Sequence, residues 1–205
     1  MRIFRAAALV FLALFASGAH SASKTILVLG DSLSAEYGLA RGSGWVSLLE
    51  QRLKTENIDA VVVNASISGE TSSGGKNRLG ALLEKHHPAV AIIELGGNDG
   101  LRGLSIRASE DNLRAMISVA KKSRAKVLLV GMQIPPNYGR NYADRFAALY
   151  PKLATETKSA LVPFLLTGVA DRPELFQSDR MHPNAQAHPV ILSNVWPYLK
   201  PLLIK

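Results

Sequence analysis

Ser32 follows Gly30-Asp31 near the start of the chain, and Asp179-Arg180-Met181-His182-Pro183 stands near its end. A serine hydroxyl is a weak nucleophile until a base takes its proton, and that base needs a third group to fix its tautomer. Asp179 and His182 are three residues apart, so one tight turn presents both. In such a turn the carboxylate accepts a hydrogen bond from one imidazole nitrogen while the other nitrogen faces the serine. Ser32 is then the one part that the fold must bring in from a distance. Each piece also has a plainer use. Gly-Asp-Ser after an apolar run caps helices and makes turns, and Asp-x-x-His-Pro makes surface turns. What lies between the two motifs has to decide.

The intervening chain alternates strands with helices. Thr25 to Leu29 is a continuous branched apolar run bounded by Gly30, as expected of a strand buried on both faces. Further strands are predicted over Ala60 to Val63, Ala89 to Leu95, Lys126 to Met132 and Leu161 to Phe164. Helical spacing appears at Trp45, Leu48, Leu49 and Leu53, at Leu79, Leu82 and Leu83, at Leu113, Met116, Ile117 and Ala120, and at Phe146, Leu149 and Leu153. A last helix is predicted from about Ala187 to Leu199. This order implies an α/β fold, a mostly parallel five-stranded sheet covered by helices on both sides. In such sheets ligands collect beyond the carboxyl ends of the strands. The loops holding Ser32, Ser66 to Thr71, Gly96 to Leu104, Gln133 to Tyr142, and Asp179 with His182 all open on that rim.

Two of those loops offer donors for a developing oxyanion. Asn98, in Gly96-Gly97-Asn98-Asp99, carries a side-chain amide, and Gly69, in the stretch Asn64 to Thr71, offers a backbone N–H with nothing blocking approach. The plainer reading is that Gly69 and Gly97 supply turns with positive φ.

Taken in order, Gly30-Asp31-Ser32-Leu33, Gly69, Gly96-Gly97-Asn98-Asp99 and Asp179-x-x-His182 closely resemble the SGNH (GDSL) hydrolase family, over nearly the whole chain that follows the first residues. The resemblance implies a three-layer α/β/α sandwich of flavodoxin-like type. It also implies Ser32 as nucleophile, His182 as general base then acid, Asp179 as its orienting partner, and an oxyanion hole made by the Ser32 N–H, the Gly69 N–H and the Asn98 side chain. The expected reaction is hydrolysis of a carboxylic ester or thioester, such as an aryl or alkyl ester, an acyl thioester or a lysophospholipid, through an acyl-enzyme on Ser32. No metal or organic cofactor is needed.

Composition bounds the remaining choices. With 205 residues, 47% hydrophobic and 20% charged, the chain suits one globular domain with a substantial core. Residues 1–21 read as an export signal: Arg2 and Arg5, the apolar run Ala6 to Ala16, then small residues, with cleavage near Ala19 to Ala22. The hydrolase domain would then be residues 22–205. The apolar run is shorter than the roughly 20 residues of a transmembrane helix, which argues against a retained anchor. Periplasmic or secreted location follows. Cysteine is absent, so disulfides, thiol nucleophiles and cysteine metal sites are excluded. Loss of Arg2 and Arg5 lowers the formal charge from +8 to +6. The basic residues are scattered without the aromatic pattern of a nucleic-acid module, so no nucleic-acid partner is expected. A small-molecule ester as substrate and a monomeric state are the simplest expectation.

One residue departs from the family pattern. Relatives often read Gly-Asp-Ser-Leu-Ser-Ala-Gly-Tyr, whereas Glu36 stands where that glycine would be. A carboxylate facing the cleft would disfavour anionic substrates such as coenzyme A thioesters; a solvated Glu36 would not. Glu94 ends an apolar strand and calls for hydrogen-bond partners rather than catalysis. Gln133 to Gly139 suits either an acyl channel or a stiff surface loop. His86, His87 and His188 lack a matched ligand set and read as surface histidines. Three rivals remain. An α/β-hydrolase needs Gly-x-Ser-x-Gly, and Ser34 stands where the second glycine would be. A carbohydrate O-deacetylase would use the same site with a narrow polar cleft. A non-catalytic envelope binding protein would keep the loops for a ligand.

Overall fold

The computed structural model describes residues 23–204; the expected export signal and its cleavage positions lie outside them. Five strands form one sheet: β1 (Lys24–Gly30), β2 (Ala60–Asn64), β3 (Val90–Glu94), β4 (Lys126–Val130) and β5 (Ala160–Val162). Their order is β2-β1-β3-β4-β5, and every pairing is parallel. The helices are α1 (Trp45–Thr55), α2 (Ser72–His86), α3 (Gly97–Leu101), α4 (Ile106–Lys122), α5 (Arg140–Thr157) and α6 (His188–Ile204). Contacts of α2 with α4 and of α4 with α5 build one outer layer, and contacts of α1 with α6 build the other.

The apolar patterns explain these layers. β1 and β3 lie inside the sheet; β3 is buried along its whole length, and β1 over its last five residues. β2 is an edge strand, and its Val61 is exposed. α4 turns Leu113, Met116, Ile117 and Ala120 to the sheet, and Ser105 caps it by accepting the Ala108 N–H at 3.3 Å. Thr71 caps α2 in the same way, through the Gly74 N–H at 3.3 Å. Trp45, Phe146 and Tyr150 are the largest wholly buried side chains, and they fill the space between sheet and helices near the strand ends.

The strand order reverses between β1 and β3. In doubly wound sheets this switch point is where loops diverge and leave a crevice for ligand. Gly30 of β1 pairs in register with Glu94 of β3, so the Ser32 turn and the Gly96-Gly97-Asn98 segment leave the sheet side by side. The stretch from Gly96 to Leu104, expected as a loop, contains α3: the chain turns at Gly96 (φ +111°) and forms one short helix before reaching Leu104. Among the described residues no helix is long and apolar enough to cross a membrane.

Candidate active site

The two distant motifs meet. His182 Nε2 lies 3.0 Å from Ser32 Oγ, and His182 Nδ1 lies 2.6 Å from Asp179 Oδ2. The turn that carries the acid is held by its own carboxylate, for Asp179 Oδ1 accepts the Met181 N–H at 2.9 Å and the His182 N–H at 3.0 Å. The His182 backbone, the His182 ring and the Met181 N–H together lower the Asp179 carboxyl to a pKa of about 2. An ionised carboxylate only accepts, so Nδ1 carries the ring proton and Nε2 presents a lone pair to the serine. Tyr37 packs its ring against His182 with centroids 4.4 Å apart.

The expected oxyanion donors divide into two kinds. No acceptor among the described residues takes the N–H of Ser32 or of Gly69. Gly69 has φ +78°, so it also makes the turn that the plainer reading required, whereas Gly97 begins α3 and the positive φ belongs to Gly96. Asn98 differs from both backbone donors. Its Nδ2 donates to Asp31 Oδ2 and to the Glu70 carbonyl, each at 3.0 Å. These two acceptors define which terminal atom is nitrogen, and they occupy both amide hydrogens in the resting site. For Asn98 to stabilise an oxyanion, one of those hydrogens must be shared with it.

Beside Ser32 lies a cluster of buried acids. Asp31 is 2% exposed; burial pushes its carboxyl up to about 6, against the hydrogen bond from Leu33 N–H at 3.0 Å. Glu94 is wholly buried, and burial together with the Asp31 charge raises its carboxyl well above the usual range. Its Oε2 accepts the Ser34 hydroxyl at 2.7 Å and the Asp31 N–H at 3.2 Å, while Trp45 Nε1 donates to Ser34 Oγ at 3.2 Å. Its Oε1 has no hydrogen-bond partner among the described residues. Gly30 is required here, because a Cβ at that position would stand 2.6 Å from Glu94 Oε2. The structural, hydrogen-bonded reading of Glu94 therefore fits the geometry.

Two expectations need correction. Glu36 neither faces the cleft nor points freely into solvent. Its carboxylate turns to the start of α1 and accepts the Gly44 N–H at 2.7 Å, the Gly42 N–H at 3.1 Å and the Ser47 hydroxyl at 2.9 Å. His188 is no surface histidine either: it is 2% exposed and accepts the Trp45 N–H on Nδ1 at 2.9 Å. A signal for it was present, since Ile191, Leu192 and Val195 follow it at helical spacing and share its buried face. His87, by contrast, is exposed.

Asp99 was also missed as a structural residue. It accepts the Ser72 N–H and hydroxyl at 2.8 and 2.5 Å and the Ser109 hydroxyl at 3.1 Å, tying α2, α3 and α4 together. Its partners lie far from it in sequence, so no local spacing announces them. No group of three or more potential metal-ligating side chains occurs among the described residues.

A groove of about 1830 Å³ opens from Ser32 and His182. Met132, Ile134, Phe164, Leu166 and Phe176 give it apolar walls, and Ser32, Gly69 and Asn98 line it with them. Ile134 and Pro135 place the Gln133 to Gly139 loop on this groove, as one of its two sequence readings required.

The wider comparisons agree with this arrangement. Residues 28–190 match the GDSL-like Lipase/Acylhydrolase family. The chain is 52% identical over 184 residues to a protein named Esterase TesA of Pseudomonas aeruginosa, covering 90% of this chain and 92% of that one. It is 43% identical over 183 residues to a thioesterase 1/protease 1/lysophospholipase L1 of Escherichia coli, covering 89% and 86%. The solved structure of a psychrotrophic esterase, EstA from Pseudoalteromonas sp., inhibited by monoethylphosphonate, superposes with a TM-score of 0.84 at 41% identity, covering 89% of this chain and all of that one. A serine-centred site at the β1/β3 switch point and a family match across most of the chain lead to one assignment: this chain belongs to the GDSL-like lipase/acylhydrolase family and is an ester-hydrolysing enzyme.

Proposed function

We propose that Ser32, His182 and Asp179 are the catalytic relay of a carboxylic ester and thioester hydrolase that prefers apolar acyl groups on uncharged or weakly charged leaving groups. The carrying observation is the continuous hydrogen-bonded line from Asp179 through His182 to Ser32, at 2.6 and 3.0 Å. Ser32 Oγ attacks the acyl carbonyl carbon as its proton passes to His182 Nε2. The carbonyl oxygen becomes an oxyanion, held by the Ser32 and Gly69 N–H groups and by Asn98. The imidazolium then protonates the leaving alcohol or thiol as the tetrahedral intermediate collapses to an ester on Ser32. Water, deprotonated by the same imidazole, attacks that ester, and the acid departs as Ser32 regains its proton.

The apolar walls of the groove favour lipid, alkyl or aryl esters over the acetylated sugar of the deacetylase alternative. Charge along the groove points the same way. Asp171, Glu174, Asp179 and Arg180 line it while Glu36 does not, and Glu174 is paired with Arg172 at 2.8 Å, so the groove offers a polyphosphate leaving group no cluster of free cations. We also infer export, from the signal-like residues 1–21, as a single hydrolase domain over 22–205. The relay, donors and groove all come from one chain, so the proposed reaction needs no residue from a second copy.

The test is a fluorescent organophosphonate with wild type and Ser32→Ala, beside a ladder of p-nitrophenyl esters, a lysophospholipid and an acetylated xylo-oligosaccharide. Labelling abolished in Ser32→Ala, with turnover best on the longer acyl esters, is the expected result. An unlabelled wild type overturns the relay, and preference for the acetylated sugar selects the deacetylase.

A further inference from the structure

The two side chains that corrected the sequence reading reach one place. α1 starts at Trp45, and its N-cap, Gly44, has no side chain to satisfy the N–H groups of the first turn. The Gly44 and Trp45 N–H groups, with the Gly42 N–H and the Ser47 hydroxyl beside them, are taken by residues from the two loops of the relay. Glu36, four residues past Ser32, takes Gly42, Gly44 and Ser47. His188, six residues past His182, takes Trp45.

Glu36 holds this position against a backbone cost. Its φ is +58°, a left-handed conformation that is unfavourable for a non-glycine residue. The donors offset that cost, since hydrogen bonds to a charged group are stronger than those between neutral groups. Partial burial would raise its carboxyl, but the Gly44, Gly42 and Ser47 donors outweigh it and hold the group below the usual carboxylate range. It is therefore ionised where it meets the positive end of α1.

His188 is fixed with equal definition. Trp45 N–H can only donate, so Nδ1 is unprotonated and the neutral ring carries its proton on Nε2. The imidazole thus fastens the chain that follows His182 to the start of α1. Burial depresses its pKa below 6.5. The charged group facing it is Glu36 from the β1–α1 segment, while α1 and its own loop meet it with backbone groups. A direct strap runs beside this one: Gln177 Nε2 donates to the Tyr37 carbonyl at 2.9 Å and to the Pro183 carbonyl at 3.0 Å.

We propose that Glu36 and His188 are positioning residues, hooking the nucleophile loop and the base loop onto the first turn of α1 so that this helix end sets the separation of Ser32 and His182. The proposal rests on the relay reading of Ser32 and His182. It gives a function to the residue that departs from the family pattern. The two loops approach the relay from opposite ends of the chain, and a displacement of about 1 Å between reacting groups can cost a hundredfold in rate.

The experiment measures kcat and KM on one p-nitrophenyl ester for wild type, His188→Ala, His188→Asn and Glu36→Gln. Wild-type turnover in the same assay keeps the relay reading separate from this one. In His188→Ala we expect kcat to fall roughly tenfold to a hundredfold with KM within about twofold. His188→Asn, whose Oδ1 can replace Nδ1 as acceptor for Trp45, should recover most of that loss near pH 8. Glu36→Gln keeps one acceptor and should lose less than His188→Ala. The decisive readout is the split between kcat and KM together with the rescue by His188→Asn, which a merely structural role would not move. Should His188→Ala fail to fold, the His188→Asn and Glu36→Gln kinetics carry the test alone. Wild-type kcat in His188→Ala, or a kcat in His188→Asn that is as low as in His188→Ala or more than about a hundredfold below wild type, overturns the proposal.

Discussion

Asp31 and Asp179 stand on either side of the same hydroxyl, one next to Ser32 in sequence and the other joined to it through His182. The fold treats them in opposite ways. Asp179 keeps 41% of its side chain exposed, yet three hydrogen bonds bring its carboxyl down to about 2. Asp31 is buried, and two donors do not offset the loss of water, so its carboxyl rises to about 6. The number of donors and the access of water decide which carboxylate is a fixed negative charge and which is a reluctant one. A relay acid needs the first environment. The second suits a group that orients an amide, as Asp31 does for Asn98.

The contrast breaks first by removing each charge while keeping its shape. Asp179→Asn should lower kcat by about 10³- to 10⁴-fold with little change in KM, because an amide at this position favours the wrong tautomer of the base. Asp31→Asn should lower it by roughly tenfold to a hundredfold, the scale of a misoriented donor. Steady-state kinetics on one soluble ester separate the two. Equal losses would mean that Asp31 acts on the base directly.

The same pair shows what a sequence reveals. Asp179 and His182 make their contact within one turn, so spacing alone exposed it, and the alternation of apolar runs was enough to put Ser32 and Asn98 on the same rim. Asp31, Glu94, Ser34 and Trp45 meet only because Gly30 falls opposite Glu94 in the register of β1 and β3, and no local pattern states a register. Glu36 was misread for a related reason. Its departure from glycine was visible, but the direction of its side chain depends on a left-handed φ and on where α1 begins. His188 was visible as part of an apolar helical face, and the absence of metal-ligand spacing was the wrong test to apply to it. α3 escaped because five residues with two glycines carry no helical period.

Glu94 sharpens the comparison at the buried end. Glu94→Leu leaves the Ser34 hydroxyl and the Asp31 N–H without their acceptor, and each stranded group costs about 1 to 3 kcal/mol. A total loss of about 2 to 6 kcal/mol in urea unfolding at pH 7 is expected. Glu94→Gln keeps the acceptor and matches the neutral acid in shape, so its loss should stay near 1 kcal/mol. A glutamine variant as unstable as the leucine variant would show that the native group is charged.

The smallest effect is the pH dependence of stability, where the two aspartates should pull in opposite directions. Asp31 binds its proton more tightly folded than unfolded, so its contribution is complete below an unfolded value near 3.8 and is lost as pH rises through about 6. Glu94, also raised by burial and by the Asp31 charge, has the same sign. Asp179 is the reverse: its contribution is complete above about 3.8 and is lost as pH falls toward about 2. His188, depressed below 6.5, adds stability that is lost as pH falls through its folded value, which partly masks the Asp31 slope in the raw curve. The difference between wild type and Asp31→Asn removes that common term. Chemical denaturation at intervals from about pH 4 to pH 7 should show this difference shifting by on the order of 2 to 3 kcal/mol in favour of the variant as pH rises. Asp179→Asn should run parallel to wild type across that window, and the gap between the two should close only below about pH 4. A difference between wild type and Asp31→Asn that stays flat from pH 4 to pH 7 would mean that Asp31 ionises as readily folded as unfolded, and the contrast between the two carboxylates would then rest on the hydrogen bonds alone.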